Sequence, residues 1–88
     1  SVPALAHADT RLLRYPDVSA TDIVFVHGGD LWIVGRNGGT ARQLTSHAGE
    51  ELYPKFSPDG RRIAFAAEYS GTRQVWVIDA AGGTPKQL

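Results

Sequence analysis

The sequence contains one pattern of residues twice, and this repeat restricts the fold more than any other feature. The segment YPDVSATDIVF, which begins at Tyr15, aligns with YPKFSPDGRRIAF, which begins at Tyr53. Further along, LWIVGRNGGTARQL aligns with VWVIDAAGGTPKQL, so that Trp32 corresponds to Trp76. The two copies differ in length only where turns are expected, as related repeats do. The chain therefore contains two copies of one structural unit of about 40 residues.

Turn residues divide each copy into four short strands. In the second copy these are predicted over residues 53–57, 63–67, 74–79 and 85–88. Pro58, Asp59 and Gly60 predict a tight turn between the first two, because proline presets φ and glycine accepts a positive φ. The first copy gives the same four strands as RYPDVS, DIVFVH, DLWIVG and ARQLT. Since glycine interrupts every helical pattern, we predict an all-β chain.

The middle strands of each copy are almost continuously apolar. Such strands are buried on both faces of a sheet, and a four-stranded sheet of this kind repeated about every 40 residues is typical of a β-propeller blade. We therefore predict β-propeller blades, two four-stranded antiparallel blades per chain. The first blade is assigned to residues 9–47 and the second to residues 48–88, after an N-terminal extension at residues 1–8.

The apolar residues of the middle strands are expected to form the interfaces between blades. These candidates are Ile23, Phe25, Trp32, Ile33, Ile63, Phe65, Trp76 and Val77. Two blades share one interface and are expected to leave two apolar faces open, and burying each large side chain is worth about 1.5–3 kcal/mol. Exposing several could cancel a small domain's total stability of about 5–15 kcal/mol. We therefore expect a ring closed by homo-oligomerisation: a homotrimer with six blades is favoured, and a homotetramer with eight is the alternative.

Composition excludes several functional classes. Nine basic residues balance nine acidic ones, and the arginines are scattered, which argues against nucleic acid as a partner. No run approaches the roughly 20 apolar residues of a membrane span. The chain has no cysteine, and His7, His27 and His47 lack nearby ligands at metal-binding spacing, so we expect no metal and no cofactor.

The sequence offers no catalytic constellation. It lacks a G-x-S-x-G motif, and Ser57 and Asp59 are better explained by the turn in which they lie. Glu50 and Glu51 are expected to be solvated in the segment between the blades. Trp32 and Trp76 occupy equivalent places in apolar strands and are expected in the core rather than on a ligand platform. We therefore assign no catalytic residue.

The repeat FSPDGRRIAF followed by VWVIDAAGGTPKQL resembles the propeller repeat of TolB and of the tricorn proteases. The opening RLLRYPDVS, with IVF and GDLWIV after it, favours the tricorn proteases, and the resemblance covers Asp9 to Leu88. In that family a six-bladed N-terminal propeller precedes a second propeller, a PDZ domain and a serine-protease core. The resemblance therefore implies a non-catalytic segment of a tricorn-like serine peptidase.

Three functions follow as hypotheses. The first is a peptide access or binding module whose tunnel is lined by the first strands, with Arg14 and Lys55 as candidate tunnel residues. The second is a TolB-like periplasmic scaffold that binds proteins at the tunnel mouth, and the third is a self-assembling segment with no activity of its own. The sequence AHA before Asp9 reads as the end of a cleaved signal peptide, which predicts a parent exported to the bacterial periplasm; an irregular N-terminal extension is the alternative.

Overall fold

The computed structural model describes residues 14–46, 49–69 and 71–88, which form two four-stranded antiparallel sheets in sequence order. In the first sheet the strands are β1 (Arg14–Val18), β2 (Asp22–His27), β3 (Asp30–Gly35) and β4 (Arg42–Gln43). In the second they are β5 (Glu51–Phe56), β6 (Arg62–Ala67), β7 (Gln74–Asp79) and β8 (Lys86–Gln87). The predicted all-β class and the two antiparallel sheets are confirmed.

Strand bounds differ slightly from the prediction. β5 begins at Glu51, two residues earlier than expected, while β8 is only two residues long. The predicted extension at residues 1–8 and the predicted boundary between residues 47 and 48 lie outside the described residues.

The β2–β3 hairpin follows directly from its turn residues. His27 pairs with Asp30, and Gly28 and Gly29 between them both have positive φ, at 63° and 84°. Two consecutive positive φ values are what a two-residue type I′ turn requires, and this turn matches the twist of the flanking strands. The hairpin register then places Phe25 opposite Trp32 and Val24 opposite Ile33, on opposite faces of the sheet.

The two sheets pack face to face around one apolar cluster. Buried side chains come from the first sheet (Val24, Val26, Leu31, Ile33 and Leu44) and from the second (Ile63, Phe65, Ala67 and Ile78). Of the predicted interface residues, Ile33, Ile63 and Phe65 lie in this cluster and Trp76 packs against it. The middle strands thus position the two sheets relative to each other.

The other face of the first sheet carries a second cluster. Phe25 and Val34 are buried with Ala41, and Ile23 and Trp32 pack against them half-buried. This face is not open as expected, because Phe25 retains only 1% of its exposure within one chain.

The outward face of the second sheet remains accessible. Val75 is 49% exposed, and Val77, two residues along β7, is half-buried. The sequence predicts two open apolar faces, and the structure leaves only the outward face of the second sheet accessible.

Candidate functional site

The first strands of the two sheets, β1 and β5, lie side by side. The ring centroids of Tyr15 and Tyr53 are 4.6 Å apart, and the planes are tilted by 59°. The backbone N–H of Phe56 donates to Asp17 Oδ2 at 2.7 Å, so a side chain of β1 is tied to the backbone of β5. First strands of neighbouring propeller blades approach each other in this way around the central axis. We therefore treat this edge as the candidate site.

The sequence placed two tunnel residues at this edge. Lys55 lies on β5, paired with Ala64, and its side chain is exposed. Arg14 begins β1 and pairs with Val26, but its side chain lies outside the described part of the molecule.

Both first strands have a bulge at their Tyr-Pro dipeptide. The register shifts between Arg14 and Asp17 in β1, and between Leu52 and Lys55 in β5. Tyr15 and Tyr53 adopt positive φ, at 50° and 56°. A bulge reorients side chains, and here it leaves Tyr53 51% exposed. The repeated Tyr-Pro aligns the two copies in the sequence, and a proline within a strand is also a recognisable signal for a bulge.

The turn at Pro58, Asp59 and Gly60 forms as predicted from the sequence. Gly60 has a φ of 73°, and its N–H donates to the Ser57 carbonyl at 2.8 Å. Asp59 Oδ1 accepts from the Ser57 hydroxyl at 2.6 Å and from the Arg61 N–H at 3.0 Å, and these donors lower the pKa of the carboxyl. Ser57 and Asp59 thus stabilise the turn.

A groove of about 430 Å³ separates this turn from the equivalent turn of the first sheet. Its walls are residues 17–21 and residues 56–60. The walls come close at one point, where a Cβ on Gly60 would lie 3.3 Å from the Ser19 Cβ. The groove continues the β1–β5 edge and is lined mostly by hydroxyl, carboxyl and backbone groups.

Glu51 is buried, which corrects the expectation that it is solvated. Its exposure is 0%. Glu51 is the first residue of β5, and its N–H donates to the Gly29 carbonyl of the first sheet's β2–β3 turn at 2.9 Å. The Thr45 hydroxyl donates to Glu51 Oε1 at 3.0 Å, and the Tyr69 hydroxyl donates to Oε2. Desolvation outweighs these two hydrogen bonds and raises the pKa of Glu51 to about 7, with the Asp30 carboxyl adding to the increase.

This polar cluster closes one end of the interface between the sheets. The Thr45 hydroxyl also accepts the Leu31 N–H at 2.9 Å, which ties β3 to the start of β5. Burial and the neighbouring Glu51 raise the pKa of Tyr69. Among the described residues, none donates a hydrogen bond to the buried Asp30 Oδ1. The sequence signal was weak, because a glutamate between strands is usually exposed.

The described residues contain no group of three or more His, Cys, Asp or Glu arranged to hold a metal ion. In the same part of the chain, no helix is long and apolar enough to cross a membrane. Of the histidines, only His27 is described; it is exposed, and its ring lies edge-on to Trp32 at 6.0 Å. His7 and His47 fall outside the described ranges.

Residues 10–88 match the sequence model of the tricorn protease N-terminal beta propeller domain. The chain belongs to this family. The resemblance to tricorn proteases that the repeat suggested is thereby confirmed, and the two sheets are blades of this propeller domain.

Individual relatives agree with this assignment. A TolB homolog of Chlorobium luteolum is 38% identical over 64 residues, covering 73% of this chain and 15% of the relative. The tricorn protease of Thermoplasma acidophilum is 40% identical over 53 residues, covering 60% of this chain and 5% of the relative. A crystal structure of the tricorn protease superposes with a TM-score of 0.75 at 30% identity, over 86% of this chain and 8% of that one. The chain thus spans only a small part of each of these proteins.

Proposed function

We propose that this tricorn-type segment is a peptide access and binding element, and that it takes no part in bond cleavage itself. The supporting observation is the β1–β5 edge, where exposed Lys55 and half-exposed Tyr53 lie on strands that face the axis in a propeller. A tunnel lined by such strands would hold extended peptides on their way to a distant active site. The family assignment supports this, because tricorn proteases act on peptide bonds.

Peptide binding by the isolated chain tests the proposal. The probe is a tryptic digest of casein labelled with fluorescein, and the readout is fluorescence anisotropy as the chain is added. We expect saturable binding without any change in the peptide masses. Anisotropy that stays flat up to millimolar chain concentration would contradict the proposal.

A TolB-like scaffold that binds folded proteins is the second candidate. The 38% identity to a TolB homolog favours it, and the groove between the two turns offers a surface of hydroxyl and carboxyl groups at the mouth of the tunnel. For a TolB-like scaffold we expect the parent protein to be exported to the bacterial periplasm. Binding of folded proteins with no binding of the casein peptides would select this candidate.

We further propose that copies of the chain complete the ring. The exposed face of β7, with Val75 and Val77, supports an additional interface. Three chains would supply six blades, and four chains would supply eight.

A further inference from the structure

We propose that Tyr53, with the Tyr15 ring beside it and Lys55 two residues further on, forms a binding site for one aromatic or prolyl side chain of an extended acidic peptide. The inference rests on the proposed peptide-binding function and deepens it, because it names the residues and the class of peptide. Its basis is the strained backbone at Tyr53, the exposure of the ring and the charge of Lys55.

The backbone at Tyr53 is unfavourable for two independent reasons. Its φ of 56° lies in the left-handed region, where the Cβ of an L-residue clashes with the backbone. Pro54 follows it, and proline pushes the preceding residue toward an extended conformation. Among the described residues, every other position with positive φ except Tyr15 is a glycine. The backbone at this position is therefore less stable with a tyrosine than it would be with a glycine.

Strain of this kind persists where the surroundings enforce it, and it is concentrated at binding sites. At this edge, contacts from both first strands hold the two tyrosines in place. The Asp17 carboxylate holds the Phe56 N–H at 2.7 Å, and Tyr15 packs against the core between the sheets. The Tyr15 ring in turn supports Tyr53 at a centroid distance of 4.6 Å. The two rings are thus fixed relative to both sheets before any ligand arrives.

The exposed half of Tyr53 determines which ligand fits. Tilted aromatic rings at about 4.5–7 Å attract each other beyond simple burial, and an extended peptide can offer such a ring or the flat face of a proline. Near this edge, the Asp17 carboxylate already accepts a hydrogen bond from the Phe56 N–H, whereas the Lys55 side chain is exposed. An ammonium group favours a carboxylate on the ligand, supplied by Asp, Glu or a C-terminus.

Two peptides that differ in one side chain test this site. The probes are acetyl-Ala-Phe-Ala-Glu and acetyl-Ala-Ala-Ala-Glu, each titrated into the chain and followed by NMR chemical shifts. We expect the phenylalanine peptide to bind about fivefold more tightly, the size of one aromatic contact. Tyr53→Ser should abolish the difference between the two peptides. The matched control is Val18→Ser, because Val18 is also 51% exposed and lies on β1 outside the bulge; it should keep the difference.

A second variant separates binding from folding. In Tyr53→Gly the relief of left-handed strain opposes the loss of the contact with the Tyr15 ring, so the chain should still unfold cooperatively, while discrimination between the peptides should be lost. Discrimination that survives in Tyr53→Ser or Tyr53→Gly would overturn the site. Equal binding of both peptides by the unmodified chain would also overturn it while leaving the proposed function intact. If the unmodified chain binds neither these peptides nor the casein peptides, the proposed function itself fails.

Discussion

At the scale of single residues, Glu51 shows how burial changes the behaviour of an ordinary side chain. Its carboxyl group is fully buried and accepts hydrogen bonds from Thr45 and Tyr69. Because desolvation dominates, the pKa rises from 4.5 to about 7. The folded state therefore holds a proton near neutral pH that the unfolded chain has already released.

The stability of the fold should consequently fall as the pH rises. Glu51 binds its proton more tightly in the folded than in the unfolded state. Its contribution to the free energy of unfolding is therefore complete below pH 4.5 and is lost as the pH rises to about 7. A tenfold difference in proton affinity between the folded and unfolded states corresponds to about 1.4 kcal/mol, so the loss is on the order of 3 kcal/mol. Urea unfolding at pH 5 and pH 8 measures it.

Glu51→Gln should remove most of this dependence, since an amide of the same shape does not titrate. Glu50→Gln is the matched control, because Glu50 is the exposed neighbour and should leave the pH profile unchanged. A wild-type free energy of unfolding that is equal at both pH values, or higher at pH 8, would contradict the assignment.

At the scale of the elements, one hydroxyl joins three segments. Thr45, just beyond β4, accepts the N–H of Leu31 in β3 and donates to Glu51 in β5. Both hydrogen bonds are buried. The bond from the Leu31 N–H stays within the first sheet, whereas the side-chain bond from Thr45 to Glu51 connects the two sheets, because β5 belongs to the second sheet.

Thr45→Val keeps the shape of the side chain but deletes both hydrogen bonds. The Leu31 N–H is then buried without an acceptor, which costs about 1–3 kcal/mol. Thr40→Val, at an exposed threonine, is the control and should change stability by less than about 0.5 kcal/mol. Chemical denaturation of both variants at pH 5 measures the difference, and equal midpoints would show that Thr45 does not link the elements.

At the scale of the whole molecule, the two sheets share one core and leave one apolar face accessible. That face carries Val75 and Val77 on β7. The opposite outer face, with Phe25 and Val34, is already buried within a single chain. In a head-to-tail ring of copies, the accessible face of one chain would lie against the opposite outer face of the next.

Light scattering after size exclusion, over a dilution series, tests the ring. If copies complete it, a species of three chain masses should persist on dilution, and four masses would indicate eight blades. Val77→Asp should convert either species to monomer, because a carboxylate cannot be buried unpaired in the new interface. Glu50→Gln, at an exposed side chain between the sheets and before β5, is the control. A wild-type monomer at all concentrations would contradict homo-oligomerisation.

Local chemistry determined the fold class. The Gly28-Gly29 and Pro58-Asp59-Gly60 turns need only neighbouring residues to form, and the continuous apolar strands favour sheets that pack against other sheets. Sequence repetition then implied two equivalent sheets, since equal patterns fold alike. The family followed from the same repeat.

Tertiary structure decided the properties of the candidate site. The environment of Glu51 depends on Thr45, six residues before it, and on Tyr69, eighteen residues after it, and these side chains meet it only when the sheets pack. Likewise, Tyr15 and Tyr53 approach to 4.6 Å because two first strands from different sheets converge. The charge state of a carboxyl and the environment of a ring depend on what surrounds them in space. The residue pattern therefore predicted the strands, the turns and much of the apolar core, whereas the burial of Glu51 and the exposure of Tyr53 follow from the packing of one sheet on the other.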